Sequence, residues 1–235
     1  MPRALADRLR AFRQEHFPRY ARQFRQLAEQ GQSPQTLFIG CSDSRVLPHL
    51  LMDSGPGEVF VVRNVGNLVP PYEEAYGYHG TSAAIEFAVL ALGVRDIIVC
   101  GHSHCGAIRA LYVSPPEGAL HMTKWLELAR EAVLPVTESE EALRRVEQRS
   151  VILQLEHILT FPMVAARVRK GELFLHGWHY HVGSGQVEIL DVARGELQLH
   201  GWHYRIGRGE VSALDPAKGE FRPVLQAEAA LRTPF

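Results

Sequence analysis

The chain has 235 residues, and its 25 Lys and Arg against 26 Asp and Glu give a net charge of −1 at pH 7. This balance gives no reason to expect a nucleic-acid partner. No apolar run reaches the roughly 18 residues of a membrane span, so we expect no membrane partner. Only three cysteines occur, at positions 41, 100 and 105, which excludes a disulfide scaffold. A reducing, cytoplasmic compartment is therefore expected, where grouped Cys and His are more often ligands or catalysts.

Two amphipathic helices are predicted in residues 1–34, with Pro18 between them. Each has an apolar face, formed by Leu5, Leu9 and Phe12 in the first and by Tyr20, Phe24 and Leu27 in the second. A transit peptide is the alternative, because seven Arg and three acidic residues lie in residues 1–30, but this stretch has no Ser. We expect the helices to cover an apolar surface elsewhere.

Residues 35–170 alternate between predicted strands and helices. Strands are expected at 36–40, 58–62 and 96–100, and the last is nearly all apolar, as in a strand buried on both faces of a parallel sheet. A helix is expected over 78–92, with Ala83, Phe87 and Leu90 inside and Gly93 as its cap, and another from Ser103 onward. Further helices are expected over 121–132, from a capping box at Thr137 and Glu140, and from Pro162. The order predicts an α/β fold with a mainly parallel central sheet flanked by helices.

A repeat of 24 residues occupies 171–218. Residues 171–194 and 195–218 are identical at 15 of 24 positions, and each unit passes through Gly-Xaa-Gly between two short alternating runs. This pattern is typical of a β-hairpin. We expect the duplicated hairpins to add antiparallel strands to one edge of the sheet, within a single domain of residues 1–235.

Cysteine and histidine side chains follow two of the predicted strands. Cys41 directly follows the first, and His102 and Cys105 follow the strand at 96–100. Ligands bind at the carboxyl ends of strands in open α/β sheets. Two thiolates and one imidazole suit Zn²⁺, and three ligands leave one position for water, as in catalytic sites.

Alternatives remain open at this site. Asp43 or His104 could complete a closed structural zinc site, although we expect His104 to face solvent and Cys100 to be a core thiol. Asp43 and Arg45 form a pair in which the guanidinium orients the carboxylate. The alternative is that Asp43 caps a helix and Arg45 makes a surface ion pair.

Three motifs in order, Cys41-Ser-Asp-Ser-Arg45, Arg63-Asn-Val-Gly-Asn67 and Gly101-His-Ser-His-Cys-Gly106, resemble the β-class carbonic anhydrases. The resemblance covers about residues 18–210. It implies one Zn²⁺ per chain, held by Cys41, His102 and Cys105, with Asp43 and Arg45 as catalytic residues. It also implies a four-stranded parallel sheet with added C-terminal strands, and a homodimer or higher homo-oligomer in which N-terminal helices wrap the partner.

The activity that the resemblance implies is reversible hydration of CO₂ to bicarbonate and a proton, through a hydroxide held on zinc. Phe38, Arg63 and Gly106 are the expected residues of the substrate cleft. Family members of the bicarbonate-regulated kind have Trp where this chain has Phe38, so we expect an open site in which Asp43 does not bind zinc. A carbon-fixing microcompartment is an alternative location.

Two other activities are compatible with the same motifs. One is a related zinc hydrolase of CS₂ or COS, and the other is a non-catalytic scaffold, which would be expected to lose a zinc ligand or the Asp43 and Arg45 pair. The second Leu-His-Gly-Trp strand, at 199–202, departs from the family's single copy. We expect it to enlarge the sheet edge and to change how the oligomer packs.

Overall fold

The computed structural model describes residues 3–73, 79–113 and 115–191, and the backbone of four short strands at 198–200, 202–205, 210–215 and 220–223. A six-stranded sheet has the order β2-β1-β3-β4-β5-β6, and a separate three-stranded sheet has the order β7-β8-β9. The strands are β1 (Thr36–Cys41), β2 (Val59–Asn64), β3 (Asp96–His102), β4 (Phe174–His181), β5 (Gln186–Asp191), β6 (Gln198–His200), β7 (Trp202–Arg205), β8 (Glu210–Asp215) and β9 (Glu220–Pro223).

The first four strands of the large sheet are parallel, as predicted. β1 pairs in parallel with β2 and β3, and β3 pairs in parallel with β4. β5 then runs antiparallel to β4, and β6 antiparallel to β5. The carboxyl ends of β1 and β3 therefore lie side by side at one edge.

The helices lie on both sides of this sheet and at its ends. They are α1 (Arg3–Ala11), α2 (Phe17–Gln30), α3 (Pro48–Leu51), α4 (Gly80–Glu86), α5 (Gly106–Arg109), α6 (Leu120–Leu126), α7 (Glu140–Leu159) and α8 (Pro162–Arg169). Short π-helical segments occupy Phe12–His16 and Phe87–Leu92, and 3₁₀ segments occupy Val65–Asn67 and Glu127–Ala132. Within the described residues no single helix is long and apolar enough to cross a membrane, and one bent pair, α7 with α8, passes on length and composition.

Alternation along the strands divides the core between the two faces of the sheet. Leu37 and Ile39 of β1 point to one face, where α7 covers them with Val151 and Leu155. Phe38 points to the other face, where it packs with Ile98, Cys100 and Trp178. Cys100 is fully buried there, which confirms its prediction as a core thiol.

The helix predicted over 78–92 buries a different face from the one expected. Ala83, Phe87 and Leu90 are exposed, and the Phe87 ring lies 5.7 Å from that of Phe60. The buried side chains are instead those of Thr81, Ile85, Ala88 and Val89. The helix is apolar on more than one side, and its π-helical turn changes which side chains share a face. The spacing of apolar residues therefore predicted the wrong buried face. Gly93 caps it in the left-handed conformation, as predicted.

Two other boundaries differ from the prediction. The cap of α7 is Ser139, whose Oγ accepts a hydrogen bond from the Ala142 N–H at 3.1 Å, so Thr137 is not the cap. The helix expected from Ser103 begins at Gly106, because residues 103–105 form the turn that carries Cys105 to the site.

The N-terminal helices are present but form one continuous helical arm over residues 3–30, joined by the π-helical segment. Pro18 lies in the first turn of α2, where its missing N–H costs nothing. Neither α1 nor α2 has a buried residue, and Leu5, Leu9, Phe12 and Tyr20 are all exposed. The arm touches its own chain through Gln23, whose Nε2 donates to the Pro56 carbonyl at 2.9 Å.

The first unit of the repeat forms the predicted hairpin, β4 with β5. In the second unit β7 pairs antiparallel with β8, while residues 206–209 lie outside the described part of the chain. Of the second unit's strands that the structure describes, only β6 extends the edge of the large sheet, through three residue pairs with β5. The expectation that both hairpins extend that edge is therefore wrong, because β7 and β8 pair with β9 in a sheet of their own.

Candidate metal centre

Cys41, His102 and Cys105 meet at the carboxyl ends of β1 and β3. The two strands pair with Gly40 opposite Cys100, which brings Cys41 and His102 to the same edge. Their ligand atoms and the Cys105 sulfur all lie within 4.8 Å of one another, and all three residues are buried. Neither Asp43 nor His104 belongs to this group among the described residues, and His104 is exposed.

The His102 ring is oriented with one nitrogen toward the thiols. Nδ1 lies 3.0 Å from the Ser103 carbonyl, and a carbonyl can only accept, so Nδ1 carries the proton. Nε2 therefore has the lone pair, and it is buried with no hydrogen-bond partner in the described part of the structure. A buried acceptor without a partner is costly, and a metal ion would remove that cost.

The environment of Cys41 favours its thiolate. The Cys105 side chain donates to its sulfur and lowers the pKa of Cys41 below the usual range for a thiol, and the same contact together with burial raises the pKa of Cys105. The backbone N–H of Asp43 donates to the Cys41 sulfur at 3.4 Å, and Gly66 adds a second backbone bond. These donors stabilise the form of cysteine that binds metals.

Arg45 holds Asp43 beside the cluster. Its Nε donates to Oδ1 at 2.9 Å and its Nη2 to Oδ2 at 2.7 Å, a bidentate pair, and the Arg45 backbone N–H also donates to Oδ1. These bonds hold the pKa of Asp43 well below its usual range. Nη2 also donates to the His104 carbonyl at 3.1 Å, which ties the loop after β1 to the loop after β3. Asp43 Oδ2 lies 3.9 Å from His102 Nε2.

The motif at 63–67 holds the backbone of the site. Arg63 Nε donates to the Cys41 carbonyl at 3.1 Å and its Nη2 to the Asp43 carbonyl at 2.7 Å. Asn64 binds the Leu68 backbone on both sides, accepting from N–H and donating to the carbonyl, at 2.8 Å each. Gly66 has φ +77°, and a Cβ there would lie 2.9 Å from that of Ala107. The motif therefore fixes the position of the ligand loops.

Glu147 of α7 also supports the site, and the sequence analysis missed it. Its Oε1 accepts the backbone N–H of Cys105 at 3.0 Å, and its Oε2 lies 3.0 Å from Nε2 of His179. Both residues are buried. Glu147 lies in a polar stretch of the predicted helix, between Val146 and Gln148, so its sequence context carries no signal that its side chain is buried or which group it binds.

The chemistry of the cluster fits zinc. Two thiols and an imidazole are ligands that Zn²⁺ prefers, and the buried Nε2 of His102, which has no hydrogen-bond partner in the described part of the chain, is suited to bind it. Three protein ligands leave one coordination position for solvent or substrate.

The three residues expected in the substrate cleft have different surroundings in the structure, and their role stays a prediction. Phe38 has no exposed surface in the single chain and packs edge-on against Trp178, with ring centroids 6.3 Å apart. The Arg63 guanidinium donates its hydrogen bonds to backbone carbonyls. Gly106 is exposed at the start of α5. A cavity of about 890 Å³ beside the loop after β1 has mainly apolar walls. Its lining includes Ser42, Asn64, Val65, Tyr72 and Trp125, and none of the three predicted residues.

The fold and the cluster together define an α/β protein with a Cys-His-Cys zinc centre at parallel strand ends. A profile described as carbonic anhydrase matches residues 36–187. A carbonic anhydrase of Pseudomonas aeruginosa is 42% identical over 197 residues, which are 81% of this chain and 88% of that protein. The chain belongs to the carbonic anhydrase family, in its β class.

Solved structures agree with this assignment. The β-carbonic anhydrase CcaA superposes with a TM-score of 0.76 at 39% identity, over 83% of this chain and 90% of that one. A tetrameric β-carbonic anhydrase of Sordaria macrospora has a TM-score of 0.69 at 29% identity, over 83% and 96% of the two chains. The resemblance given by the three sequence motifs is thereby confirmed.

Proposed function

We propose that the chain catalyses the reversible hydration of CO₂ to bicarbonate and a proton, with one Zn²⁺ per chain. The observation that carries this proposal is the cluster of three ligands, Cys41, His102 and Cys105, with Asp43 held beside it by Arg45. All five residues are present, which is the pattern that a non-catalytic scaffold would be expected to have lost.

Zinc, when bound, would supply a Lewis acid that makes water acidic enough to give a nucleophile near neutral pH. Cys41, Cys105 and Nε2 of His102 would hold it. The protein's remaining task is to leave one position free, to orient the nucleophile and to move a proton.

Asp43 is suited to orientation of the nucleophile. Its carboxylate is ionised because Arg45 holds its pKa low, and an ionised carboxylate only accepts hydrogen bonds. Asp43 can therefore accept a hydrogen bond from an O–H group beside the cluster. Arg45 binds both carboxylate oxygens of Asp43, and these bonds would compete with coordination of zinc by Asp43 and so would favour an open site.

A homo-oligomer is proposed as the working form. The arm of residues 3–30 exposes Leu5, Leu9, Phe12 and Tyr20, and a face of this kind is stabilised when a second copy covers it. The relatives from Sordaria macrospora are tetrameric. We propose a dimer with exchanged arms as its basic unit.

A reducing, cytoplasmic location is also proposed. The three cysteines are free, and two of them must stay reduced to bind metal. Recovery of the native protein in the soluble cytoplasmic fraction would support this location, and recovery in a membrane or secreted fraction would contradict it.

The test of the activity is stopped-flow hydration of CO₂, with zinc quantified on the same sample. We expect activity in the wild type, and loss of both zinc and activity in Cys41→Ala. Cys100→Ala is the matched control, because Cys100 is equally buried but lies outside the cluster, and it should keep both. Parallel assays with CS₂ and COS separate the related hydrolases. A fully active, zinc-free Cys41→Ala protein would refute the proposal.

A further inference from the structure

A second group of metal-ligating side chains lies on the β4–β5 hairpin. His179 and His181 are two residues apart on β4, so their side chains lie on the same face of the sheet. Glu188 of β5 is the direct pairing partner of His179, and its side chain lies on that face too. One ligand atom from each lies within 4.8 Å of the others. The two imidazole rings have centroids 4.8 Å apart.

His179 has the hydrogen bonding of a metal ligand. Its Nε2 lies 3.0 Å from Oε2 of Glu147, and both side chains are almost completely buried. Its Nδ1 is also buried and has no partner among the described residues. Histidines that bind metals characteristically donate their other ring N–H to a carboxylate, which orients the ring and makes the free nitrogen more basic.

The charges around the group favour a cation. Glu147 and Glu188 bring two carboxylates to the same face of the hairpin, and His181 Nε2 lies 2.9 Å from Glu188 Oε1. Arg144, a basic side chain in the lining of the adjacent cavity, is already bound in a bidentate manner by Glu141. A buried carboxylate is costly without a compensating positive charge.

We propose that His179, His181 and Glu188 form a second binding site, for a divalent transition metal such as Zn²⁺. Two imidazoles and one carboxylate are a known ligand set for zinc with one open position. A cavity of about 290 Å³ leads to the group, and its lining includes Ser103, Glu147 and His181. Glu147 orients His179 with one oxygen and holds the Cys105 backbone with the other, so it contacts both sites.

The repeat provides an internal comparison. One period later, the second unit carries His203, Arg205 and Ser212 at the positions of His179, His181 and Glu188. Two of the three ligand types have been replaced. The complete set of three ligand types is therefore present in the first repeat unit and not in the second.

Zinc stoichiometry tests the proposal. The tag-free apoprotein is titrated with Zn²⁺, free metal is removed by gel filtration, and bound zinc is counted by mass spectrometry. We expect two Zn²⁺ per chain in the wild type and one in His181→Ala. The matched control is His176→Ala, since His176 lies on the same strand but binds Asp96, at 2.8 Å, and this variant should keep two.

Co²⁺ distinguishes the two sites independently of the count. Cys41→Ala with Cys105→Ala removes the thiolates, and we expect this protein to bind one Co²⁺ with d–d absorption but no thiolate charge-transfer band. His181→Ala should show the opposite, with the charge-transfer band retained. A second replacement, His181→Arg, copies the residue of the second repeat unit and repeats the test should the alanine variant misfold.

The outcomes separate this proposal from the zinc centre. A His181→Ala protein that binds as many metal ions per chain as the wild type overturns the second site, whatever the total count. A failure of the Cys-His-Cys centre would instead lower every count by one and leave the difference between wild type and His181→Ala unchanged.

Discussion

The metal centre and the N-terminal arm differ in how well a single chain buries their side chains and satisfies their contacts. At the centre, Cys41, His102 and Cys105 are buried, and their surroundings are bonded to other parts of the same chain. In the arm, α1 and α2 bury no residue, although each has an apolar face. The centre is therefore preorganised within one chain, whereas the arm needs a second surface.

This difference separates two kinds of variant. Changes at the centre should alter zinc binding or turnover in each chain, and changes in the arm should alter assembly first. The four predictions below test that separation, from the largest expected effect to the smallest.

The largest effect after loss of a zinc ligand is expected from Asp43→Asn. The amide keeps the shape but cannot accept both bonds from Arg45, and it cannot act as an ionised acceptor. We expect unchanged zinc content and a fall in kcat/KM of about 10²-fold or more. Glu138→Gln breaks a carboxylate–arginine pair, with Arg109, away from the centre and is the control. Undiminished hydration by Asp43→Asn would remove Asp43 from the mechanism.

The parts of the metal centre that could be predicted from sequence are those built by residues close in the chain or at the ends of neighbouring strands. Cys41 and His102 end strands that pair in parallel, and Arg45 is only two residues from Asp43, so spacing along the chain was sufficient. Glu147 was missed because its contact with Cys105 spans 42 residues of sequence. Nothing in the local pattern of α7 specifies that partner.

The fold shows the same limit. Strands β1, β2 and β3 were predictable because each is a short, mainly apolar run with turn residues on both sides. β4 is not such a run, and its residue pattern predicted only a hairpin strand, not its parallel pairing with β3. The exposed face of Phe87 and Leu90 was assigned to the interior, since apolar character alone does not distinguish a core from a surface that another subunit covers. The division of the repeat between two sheets depends on the pairing of β8 with β9, which lies beyond the repeat.

The next effect is on assembly, from Leu9→Glu. Leu9 is 59% exposed in the single chain, so the charge should cost that chain little, whereas it would be buried without a partner in an arm-exchanged dimer. We expect association to weaken at least tenfold, measured by sedimentation equilibrium. Gln14→Glu places the same charge on the polar side of the arm and should leave the mass unchanged. Identical masses for wild type and Leu9→Glu at all concentrations would contradict the role of the arm.

Gly66→Ala tests the rigidity of the centre. Ala at φ +77° is strained, and its Cβ would also lie 2.9 Å from that of Ala107. Gly93→Ala is the matched control, because Gly93 has φ +67° but no atom within 4 Å of the added carbon. We expect about 1 kcal/mol of destabilisation at Gly93, and about 1–3 kcal/mol more at Gly66. Chemical unfolding of the zinc-free proteins measures both, and equal losses would show that Ala107 simply moves away.

The smallest effect concerns the cap of α7, the helix that carries Glu147 to the centre. Ser139→Ala removes the acceptor of the Ala142 N–H and should cost about 1 kcal/mol, or roughly 2–4 °C in Tm for a chain of this size. Thr137→Ala alters the residue that the sequence pattern favoured, which lies outside the helix, and should stay within about 0.5 kcal/mol. Zinc content should not change in either variant, because the bond from Glu147 to Cys105 lies two turns inside the helix, beyond the reach of fraying at its end. A larger loss from Thr137→Ala than from Ser139→Ala would show that the helix begins earlier in solution and that the capping box is used after all.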